Sequence, residues 1–316
     1  MMTTIAVEAK SEDSTRVDLQ TVRSALVVAD EFLLGAGIEN ARLDAEVLLR
    51  QVLRMNKTEL YLKIDELLQP AEERRFRELL RRRAQREPVA YITGQKEFWS
   101  LDFIVTSAVL IPRPETELLV EIALDCLKSR AVGTAPAIFD LGTGSGAIAV
   151  CLTKERLDAD IWAGDISLSA LEVARANALR HGVSDRIHWL PGDLFATPNG
   201  GMPIFDLIVS NPPYIRTGEL AMLPPEISQW EPLIALNGGA DGMDVYRRII
   251  REAHNHLAPG GQIVLEIGAD MGPMVAELFE RADCYGPISV FQDYAGRDRV
   301  IAAMKLPQSE KGPGHG

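Results

Sequence analysis

Residues 138–146 read Ile-Phe-Asp-Leu-Gly-Thr-Gly-Ser-Gly, an apolar run followed directly by a glycine-rich turn. The apolar run predicts a buried strand, and the apolar residues after the turn predict a helix. Glycines let the backbone bend tightly between these elements and let a ligand approach the main chain closely. A glycine-rich turn of this kind favours an α/β fold, but by itself it also fits a dinucleotide site.

The sequence around this turn alternates between strand and helix patterns. Strands are predicted at 137–141, 161–164, 187–190, 207–210, 262–267, 288–292 and 299–304, with helices between the first five. That alternation predicts a mostly parallel sheet covered by helices on both faces. The last two strands are joined by residues 293–298, too few for a crossover helix, so they should form an antiparallel hairpin. A seven-stranded α/β sheet that ends in such a hairpin looks like the Rossmann-like class I methyltransferase fold.

The chain before the sheet has a different pattern. Residues 17–87 repeat apolar side chains at helical spacing, which predicts a small N-terminal helical domain. Residues 88–112 contain short apolar runs at 91–92, 98–99, 103–105 and 109–111, which predict short strands that together form a hairpin linker. Residues 113–304 then form the catalytic domain, and the polar segments 1–16 and 305–316 are expected to be flexible tails.

One predicted helix, residues 70–87, is rich in arginine. Its arginines are Arg74, Arg75, Arg77, Arg81, Arg82, Arg83 and Arg86. The favoured interpretation is a solvated face paired with nearby glutamates, and the alternative is a docking face for an acidic or RNA-bound partner.

Composition argues against several classes of protein. A net charge of -12 does not suit a partner held mainly through phosphates, so no direct nucleic-acid substrate is expected. The 3 cysteines are scattered without a C-x-x-C pair, which argues against a disulfide framework and a thiolate metal site, and no metal is expected. The sequence has no apolar run long enough for a membrane span and no signal peptide, so a cytoplasmic location is the simplest expectation.

Acidic residues follow the next two strands. Asp165 ends the second strand, where its carboxylate can accept hydrogen bonds from both hydroxyls of a ribose. Asp193 and Leu194 follow the third strand, where an acidic and an apolar side chain can border an adenine. The turn reads G-T-G-S-G and lacks the G-x-G-x-x-G spacing of dinucleotide sites, so S-adenosyl-L-methionine is favoured. The predicted contacts are Gly142, Thr143, Gly144, Ser145, Gly146, Asp165, Asp193, Leu194 and Asn211.

The fourth strand is followed by Asn211-Pro212-Pro213-Tyr214, the most specific chemical signal in the chain. Prolines fix φ and lack a backbone donor, so the Pro212 carbonyl and the Asn211 side-chain oxygen remain free as acceptors. Two acceptors aimed at one point suit a planar NH2 group, and Tyr214 can stack on such a group. The pattern therefore indicates amino methylation, with Asn211, Pro212 and Tyr214 as catalytic residues and Asn211, Pro212, Pro213 and Tyr214 as substrate contacts. Adenine N6, cytosine N4 and glutamine amides all remain possible acceptors.

Further motifs resemble the release-factor glutamine methyltransferases, the family often called PrmC or HemK. The similar segments run from about Arg42 to Met304. They include 86–94 (REPVAYITG), 110–117 (LIPRPETE), 231–242 around Glu-Pro and Gly-Gly-Ala-Asp-Gly, and Asp293-Tyr294 with 298–300. Leu194 stands where a tryptophan is common in the family, and Met271 stands where a glutamine often occurs.

This resemblance implies methylation of the glutamine N5 in the Gly-Gly-Gln motif of class 1 peptide-chain release factors, which modulates translation termination. It implies that the release factor is the protein partner and that the N-terminal helical domain helps to dock it. The alternatives are a ribosomal-protein glutamine methyltransferase, a nucleic-acid adenine N6 methyltransferase, and a non-catalytic S-adenosylmethionine-binding module. An intact Asn-Pro-Pro-Tyr motif argues against the last of these.

Overall fold

The computed structural model describes residues 20–128, 135–196 and 201–307. The predicted tail 1–16 and residues 308–316 of the predicted C-terminal tail lie outside the described residues. The chain divides into two compact units, Met1–Thr93 and Gly94–Gly316. No helix in the described part of the chain is long and apolar enough to cross a membrane.

The first unit is helical. Its helices are α1 (Val22–Gly35), α2 (Ala41–Leu53), α3 (Lys57–Leu62), α4 (Pro70–Ala84) and α5 (Val89–Thr93). The core of this unit is built by apolar residues at helical spacing, including the fully buried Leu26, Leu48 and Phe76. Helix α1 begins at a capping box formed by Thr21 and Ser24, in which each side chain satisfies the backbone N–H of the other residue.

The arginine-rich helix α4 ends at Ala84. Arg77 pairs with Glu73 at 2.8 Å one turn earlier, and Arg75 pairs with Glu78. Arg83 turns inward and donates to Asp44 at 2.7 Å. These pairs match the favoured interpretation, a solvated face that neutralises itself locally, although one of its arginines is buried.

Residues 89–93 form α5, so the prediction of a strand at Tyr91–Ile92 is wrong. The N–H groups of both residues donate to the Pro88 carbonyl, at 3.0 Å each. Proline is well suited to the start of a helix because it lacks an N–H that would be unsatisfied there.

The second unit contains all nine strands of the described chain. They are β1 (Gln95–Phe98), β2 (Leu101–Ile104), β3 (Ala137–Leu141), β4 (Asp160–Asp165), β5 (Ile187–Pro191), β6 (Phe205–Ser210), β7 (Leu257–Glu266), β8 (Tyr285–Gln292) and β9 (Asp298–Lys305). Its α-helices are α6 (Glu117–Lys128), α7 (Ala147–Glu155), α8 (Leu168–Arg180), α9 (Pro225–Ser228), α10 (Asp244–Ala253) and α11 (Gly272–Arg281).

Strands β3 to β9 form one sheet in the order β5-β4-β3-β6-β7-β9-β8. The first five are parallel, and β9 is antiparallel to both β7 and β8. The predicted fold class is therefore confirmed. Separate apolar clusters surround the two faces of the sheet.

Three local predictions in this unit are wrong. Residues 192–196 and 201–204, between β5 and β6, contain no helix. Residues 109–111 lie outside the sheets, because Val109 N–H closes a turn onto Thr106 and Pro112 cannot donate to a ladder. Lys305, predicted to lie in the C-terminal tail, belongs to β9 and pairs with Tyr285.

Strands β1 and β2 form the predicted hairpin. Its turn residues Trp99 and Ser100 have φ values of 54° and 56°, a conformation more often taken by glycine or asparagine. The Trp99 N–H donates to Glu117 at 2.8 Å and its indole N–H donates to Glu155 at 2.8 Å. These two bonds attach the hairpin to α6 and α7.

The parallel order reverses at β3, which lies between β4 and β6. Crevices outside the carboxyl ends of the strands at such a switch point are the usual ligand sites of open α/β sheets. The glycine-rich turn follows β3 and Asn211 follows β6, so the fold brings both predicted motifs to this position.

Candidate active site

A cavity of about 650 Å³ lies at the carboxyl ends of β3, β4, β5 and β6. This volume is typical of a pocket for a small organic ligand. The cavity wall brings together most of the predicted site residues, namely Gly142, Thr143, Gly144, Ser145, Asp165, Asp193, Leu194, Asn211, Pro212 and Pro213.

Asp140 stabilises the glycine-rich turn from within the protein. This side chain is fully buried, and its Oδ2 accepts from the Thr143 hydroxyl at 2.6 Å and from the Ala149 N–H at 3.1 Å. Burial raises the pKa of Asp140 to about 7, against the opposing effect of these two donors. Asp140 and Thr143 therefore set the shape of the turn from within the protein.

Gly146, the last glycine of the turn, does not line the cavity. It begins α7 with φ of 79°, and a β-carbon on it would lie 3.0 Å from the Ala174 β-carbon. Its structural role is the close packing of α7 against α8. Gly142 and Gly144 also have positive φ, and a β-carbon on either would meet no atom within 4 Å. Open space above these two positions fits a ligand that covers the turn.

Asp165 ends β4 and stabilises the turn from the side. Its Oδ2 accepts from the Gly144 N–H at 2.8 Å, and its Oδ1 accepts from the Ser167 N–H at 2.9 Å. Burial raises the pKa of Asp165, and these backbone donors partly offset that rise. A carboxylate has about four acceptor positions, so Asp165 keeps acceptor capacity for a ligand hydroxyl.

Asp193 and Leu194 follow β5 and also line the cavity. Asp193 pairs with Arg248 of α10 at 2.9 Å, and both side chains are about half exposed. Leu194 takes φ of 57°, which is uncommon outside glycine and asparagine. The wall here therefore offers an apolar side chain beside a carboxylate that already has a cationic partner.

Asn211 and Pro212 follow β6 directly. The Asn211 Nδ2 donates to the Thr116 hydroxyl oxygen at 3.2 Å. Within the described residues, neither the Asn211 Oδ1 nor the Pro212 carbonyl oxygen accepts a hydrogen bond. The two acceptors expected from the sequence are therefore available at the cavity wall.

Tyr214 is not among the described residues that line the cavity. Its ring is half-buried beside Gly268, where a β-carbon would lie 3.4 Å from the tyrosine Cδ2. Burial raises the pKa of its hydroxyl, so the side chain stays neutral near pH 7. The stacking role of Tyr214 remains a prediction.

Two wall residues, Arg113 and Thr116, received no role from the sequence, although their segment 110–117 was singled out as specific. Arg113 donates to the buried Glu231 at 2.6 Å, and this pair joins the turn after residue 112 to the segment before Pro232. Burial raises the pKa of Glu231, and Arg113 opposes that rise. Only the fold brings these residues together, because they are 118 positions apart in the chain.

The sheet order, the closing hairpin and the cavity at the switch point define a class I methyltransferase. Two family models match the chain: the PrmC N-terminal domain over residues 24–94 and the methyltransferase small domain over residues 116–223. The catalytic domain of hMettl16, solved with the MAT2A 3'UTR hairpin 6, is similar with a TM-score of 0.53 and 18% identity. The match covers 72% of this chain and 82% of that chain and concerns the fold alone.

Sequence relatives identify the family within this class. A release factor glutamine methyltransferase of Geobacter sulfurreducens is 43% identical over 90% of this chain and 96% of its own length. One of Moorella thermoacetica is 44% identical over 90% of this chain and 99% of its own length. The chain belongs to the release factor glutamine methyltransferase family, and it is a methyltransferase.

Proposed function

We propose that this protein uses S-adenosyl-L-methionine to methylate the glutamine N5 in the Gly-Gly-Gln motif of class 1 release factors, and so modulates translation termination. The observation that carries the proposal is the free pair of acceptors, the Asn211 Oδ1 and the Pro212 carbonyl, on a wall of the cavity that also contains the glycine-rich turn. The names of the relatives support the choice of substrate.

The cavity residues fit S-adenosyl-L-methionine. Asp165 keeps acceptor positions for ribose hydroxyls, and Gly142 and Gly144 leave the turn uncovered. Leu194 supplies an apolar surface for adenine, with Asp193 beside it. When bound, this cofactor would supply a methyl group from its sulfonium sulfur to the amide nitrogen; the S–C electron pair would stay on sulfur, and the nitrogen would release one proton to water.

The chain's own residues act on the amide. An amide nitrogen is a poor nucleophile because its lone pair is delocalised into the carbonyl. Asn211 and Pro212 can accept both N–H hydrogens, orient the nitrogen toward the methyl donor, and stabilise the positive charge that develops on it. An interaction that strengthens in the transition state raises turnover as well as binding.

The helical unit is proposed to dock the release factor. Its five helices have an apolar core of their own, separate from the two clusters around the sheet. A protein substrate that takes part in translation implies a cytoplasmic location and requires no nucleic-acid contact. The net charge of -12 supports a protein substrate over a phosphate-bound one.

The proposal is tested by incubating the purified protein with S-adenosyl-L-methionine and an intact class 1 release factor. Mass spectrometry of the Gly-Gly-Gln peptide should show the mass of one added methyl group in place of hydrogen, located on the glutamine side chain. A release factor with that glutamine replaced by alanine should gain no mass. Methylation of a ribosomal protein or of adenine in RNA under the same conditions, with none on the factor, would refute the proposal.

A further inference from the structure

A single side chain of α8 is hydrogen-bonded to both the glycine-rich turn and the β1–β2 hairpin. Asn177 is fully buried, and its Nδ2 donates to the Ser145 carbonyl at 2.8 Å and to the Ile104 carbonyl at 2.9 Å. Its Oδ1 accepts from the Ile104 N–H at 2.6 Å. A carbonyl can only accept and an N–H can only donate, so one orientation of the amide makes all three bonds. Asn177 received no role from the sequence.

The two bonds to Ile104 have the form of strand pairing. Ile104 is the last residue of β2 and lies opposite Gln95 of β1. Its N–H and its C=O both bond one amide group, as they would bond a residue of a neighbouring antiparallel strand. Asn177 therefore takes the place of a third strand beside β2, and its bond to Ser145 joins the hairpin to the glycine-rich turn.

These bonds connect two parts of the cavity wall. Ser145 lines the cavity and belongs to the turn that would hold the cofactor. The chain after Ile104 enters residues 108–113, five of which also line the cavity. The same segment continues to Thr116, whose hydroxyl oxygen accepts from Asn211 at 3.2 Å. The buried amide of α8 thus connects the part of the wall that would hold the methyl donor with the part that would hold the substrate amide.

We propose that Asn177 is a positioning residue that holds the glycine-rich turn and the segment after β2 at a fixed separation. The inference rests on the proposed function and deepens it, because this separation contributes to the distance between the methyl donor and the substrate amide. An error of about 1 Å in such a distance can lower a rate on the order of 100-fold. The shared amide also couples the two parts, so a cofactor that orders the turn should stabilise the hairpin.

Removal of the Asn177 amide would leave three backbone groups without this partner. They are the N–H and the C=O of Ile104 and the C=O of Ser145. Because Asn177 is fully buried, water cannot replace its bonds unless the backbone shifts, and a buried polar group without a hydrogen bond is costly. The hairpin would remain attached to α6 and α7 through Trp99, so we expect a variant at position 177 to fold.

A second residue at the end of α8 contacts the hairpin but not the turn. The His181 Nε2 donates to the Asp102 carbonyl at 3.0 Å, and the His181 ring lies 5.1 Å from the Phe103 ring. Both contacts are to β2, the strand that Asn177 also bonds. A substitution of His181 therefore perturbs the same strand while leaving its connection to the glycine-rich turn in place, which makes it a matched control.

The first experiment compares Asn177→Leu and His181→Leu with the wild type. Calorimetry measures the affinity for S-adenosyl-L-methionine, and steady-state kinetics measure kcat on a saturating release factor. We expect Asn177→Leu to weaken cofactor binding by about 10-fold and to lower kcat on the order of 10- to 100-fold. His181→Leu should keep the wild-type values, because the turn does not depend on it. Equal affinity and equal kcat in the two leucine variants would overturn the inference.

Hydrogen exchange supplies a readout that a merely structural role would not move. Saturating S-adenosyl-L-methionine should slow exchange of the Ile104 N–H in the wild type and in His181→Leu, although Ile104 is not among the described residues that line the cavity. In Asn177→Leu the cofactor should have no effect on this N–H, even at a concentration that saturates the site. A cofactor effect that persists in Asn177→Leu, or one that is absent from the wild type, would contradict the proposed coupling.

Asn177→Asp keeps the test decisive if the leucine variant does not fold. A carboxyl group carries at most one hydrogen, so it cannot donate to the Ile104 and Ser145 carbonyls together. The effect of the cofactor on the Ile104 N–H should therefore be smaller than in the wild type, and an equal effect would refute the positioning role. If the protein binds S-adenosyl-L-methionine but methylates no release factor, the proposed function fails and the exchange measurement still decides the inference.

Discussion

Gly238 lies so close to Tyr214 that a β-carbon on the glycine would come within 2.8 Å of the tyrosine α-carbon. The same β-carbon would lie 2.8 Å from the Pro213 carbonyl oxygen. Real β-carbons do not approach backbone atoms so closely, so any side chain at position 238 must displace the Asn-Pro-Pro-Tyr segment. The Gly-Gly-Ala-Asp-Gly motif thus has a packing role in holding the acceptors.

Gly238→Ala is expected to lower turnover without weakening cofactor binding. A displacement of about 1 Å at the acceptors can cost on the order of 100-fold in rate. Cofactor binding should be unaffected because the glycine-rich turn follows β3, whereas the acceptors follow β6. The matched control is Gly218→Ala, in the same connection between β6 and α10, where a β-carbon meets no atom within 4 Å. Steady-state kinetics would contradict the packing role if the two alanine variants were equally active.

Asp165→Ala is expected to weaken S-adenosyl-L-methionine binding by about 10- to 100-fold, the value of a lost hydrogen bond to a charged group. Part of this loss comes from the Gly144 N–H, which would lose its acceptor. Calorimetry on folded protein measures the effect. Asp158→Ala is the control, since Asp158 is exposed and pairs with Arg156. Unchanged affinity in Asp165→Ala would remove the residue from the site.

Asn211→Ala is expected to reduce kcat by on the order of 100- to 1000-fold, the usual effect of removing one preorganised hydrogen-bonding group. Binding of the release factor should persist, since the acceptor acts mainly in the transition state. Asn211→Asp keeps an acceptor in either orientation and should retain more activity than the alanine variant. Alanine and aspartate variants with equal kcat would show that acceptance is not the property that matters.

Much of the fold could be predicted from sequence because the central strands are buried on both faces and appear as short apolar runs. Residues 137–141 coincide with β3 for this reason. Trp99 and Ser100 show the limit, because nothing in either residue type signals a turn with positive φ. Residues 109–111 are apolar because they are buried near the cavity. From the sequence alone, such a run cannot be distinguished from a strand of a sheet.

The candidate site also has one part that the sequence predicts and another that only the fold brings together. Asn211 and Asp165 could be predicted to lie at the cavity because their motifs adjoin predicted strand ends. Thr116 and Asn211 are 95 residues apart, and their contact exists only after β6 and the turn before α6 have packed. The local sequence pattern does not predict such a bond. It also does not predict the close approach of Gly146 to Ala174, whereas the ligand contact of Gly146 stays a prediction.

Removing the helical unit is expected to separate cofactor binding from action on the release factor. A chain that starts at Gly94 contains both apolar clusters of the sheet and every residue of the cavity wall. It should bind S-adenosyl-L-methionine with the affinity of the full chain and lose most activity on the intact factor. Circular dichroism must first show that it folds. Full-rate methylation of the factor by this chain would refute the docking role.

The buried Asp140 predicts a specific pH dependence of stability. Burial raises its pKa from 3.8 to about 7, so between these values the folded carboxyl is protonated and the unfolded one is ionised. Folding then binds a proton, and the contribution to stability is fully present below the unfolded pKa and lost as the pH rises through about 7. Asp140→Asn removes this contribution, because asparagine does not titrate.

The free energies of unfolding of the wild type and of Asp140→Asn should therefore be measured with urea below about pH 4, near the unfolded pKa, and above about pH 8. The wild type should have its largest advantage over Asp140→Asn at low pH and lose that advantage at high pH. Asp185→Asn, at an exposed carboxyl group, is the control for the substitution itself. Glu266 is buried and titrates in the same window, so the Asp140→Asn protein should keep part of the wild-type slope. A difference between wild type and Asp140→Asn that grows with pH would mean that the buried carboxyl is ionised in the folded protein.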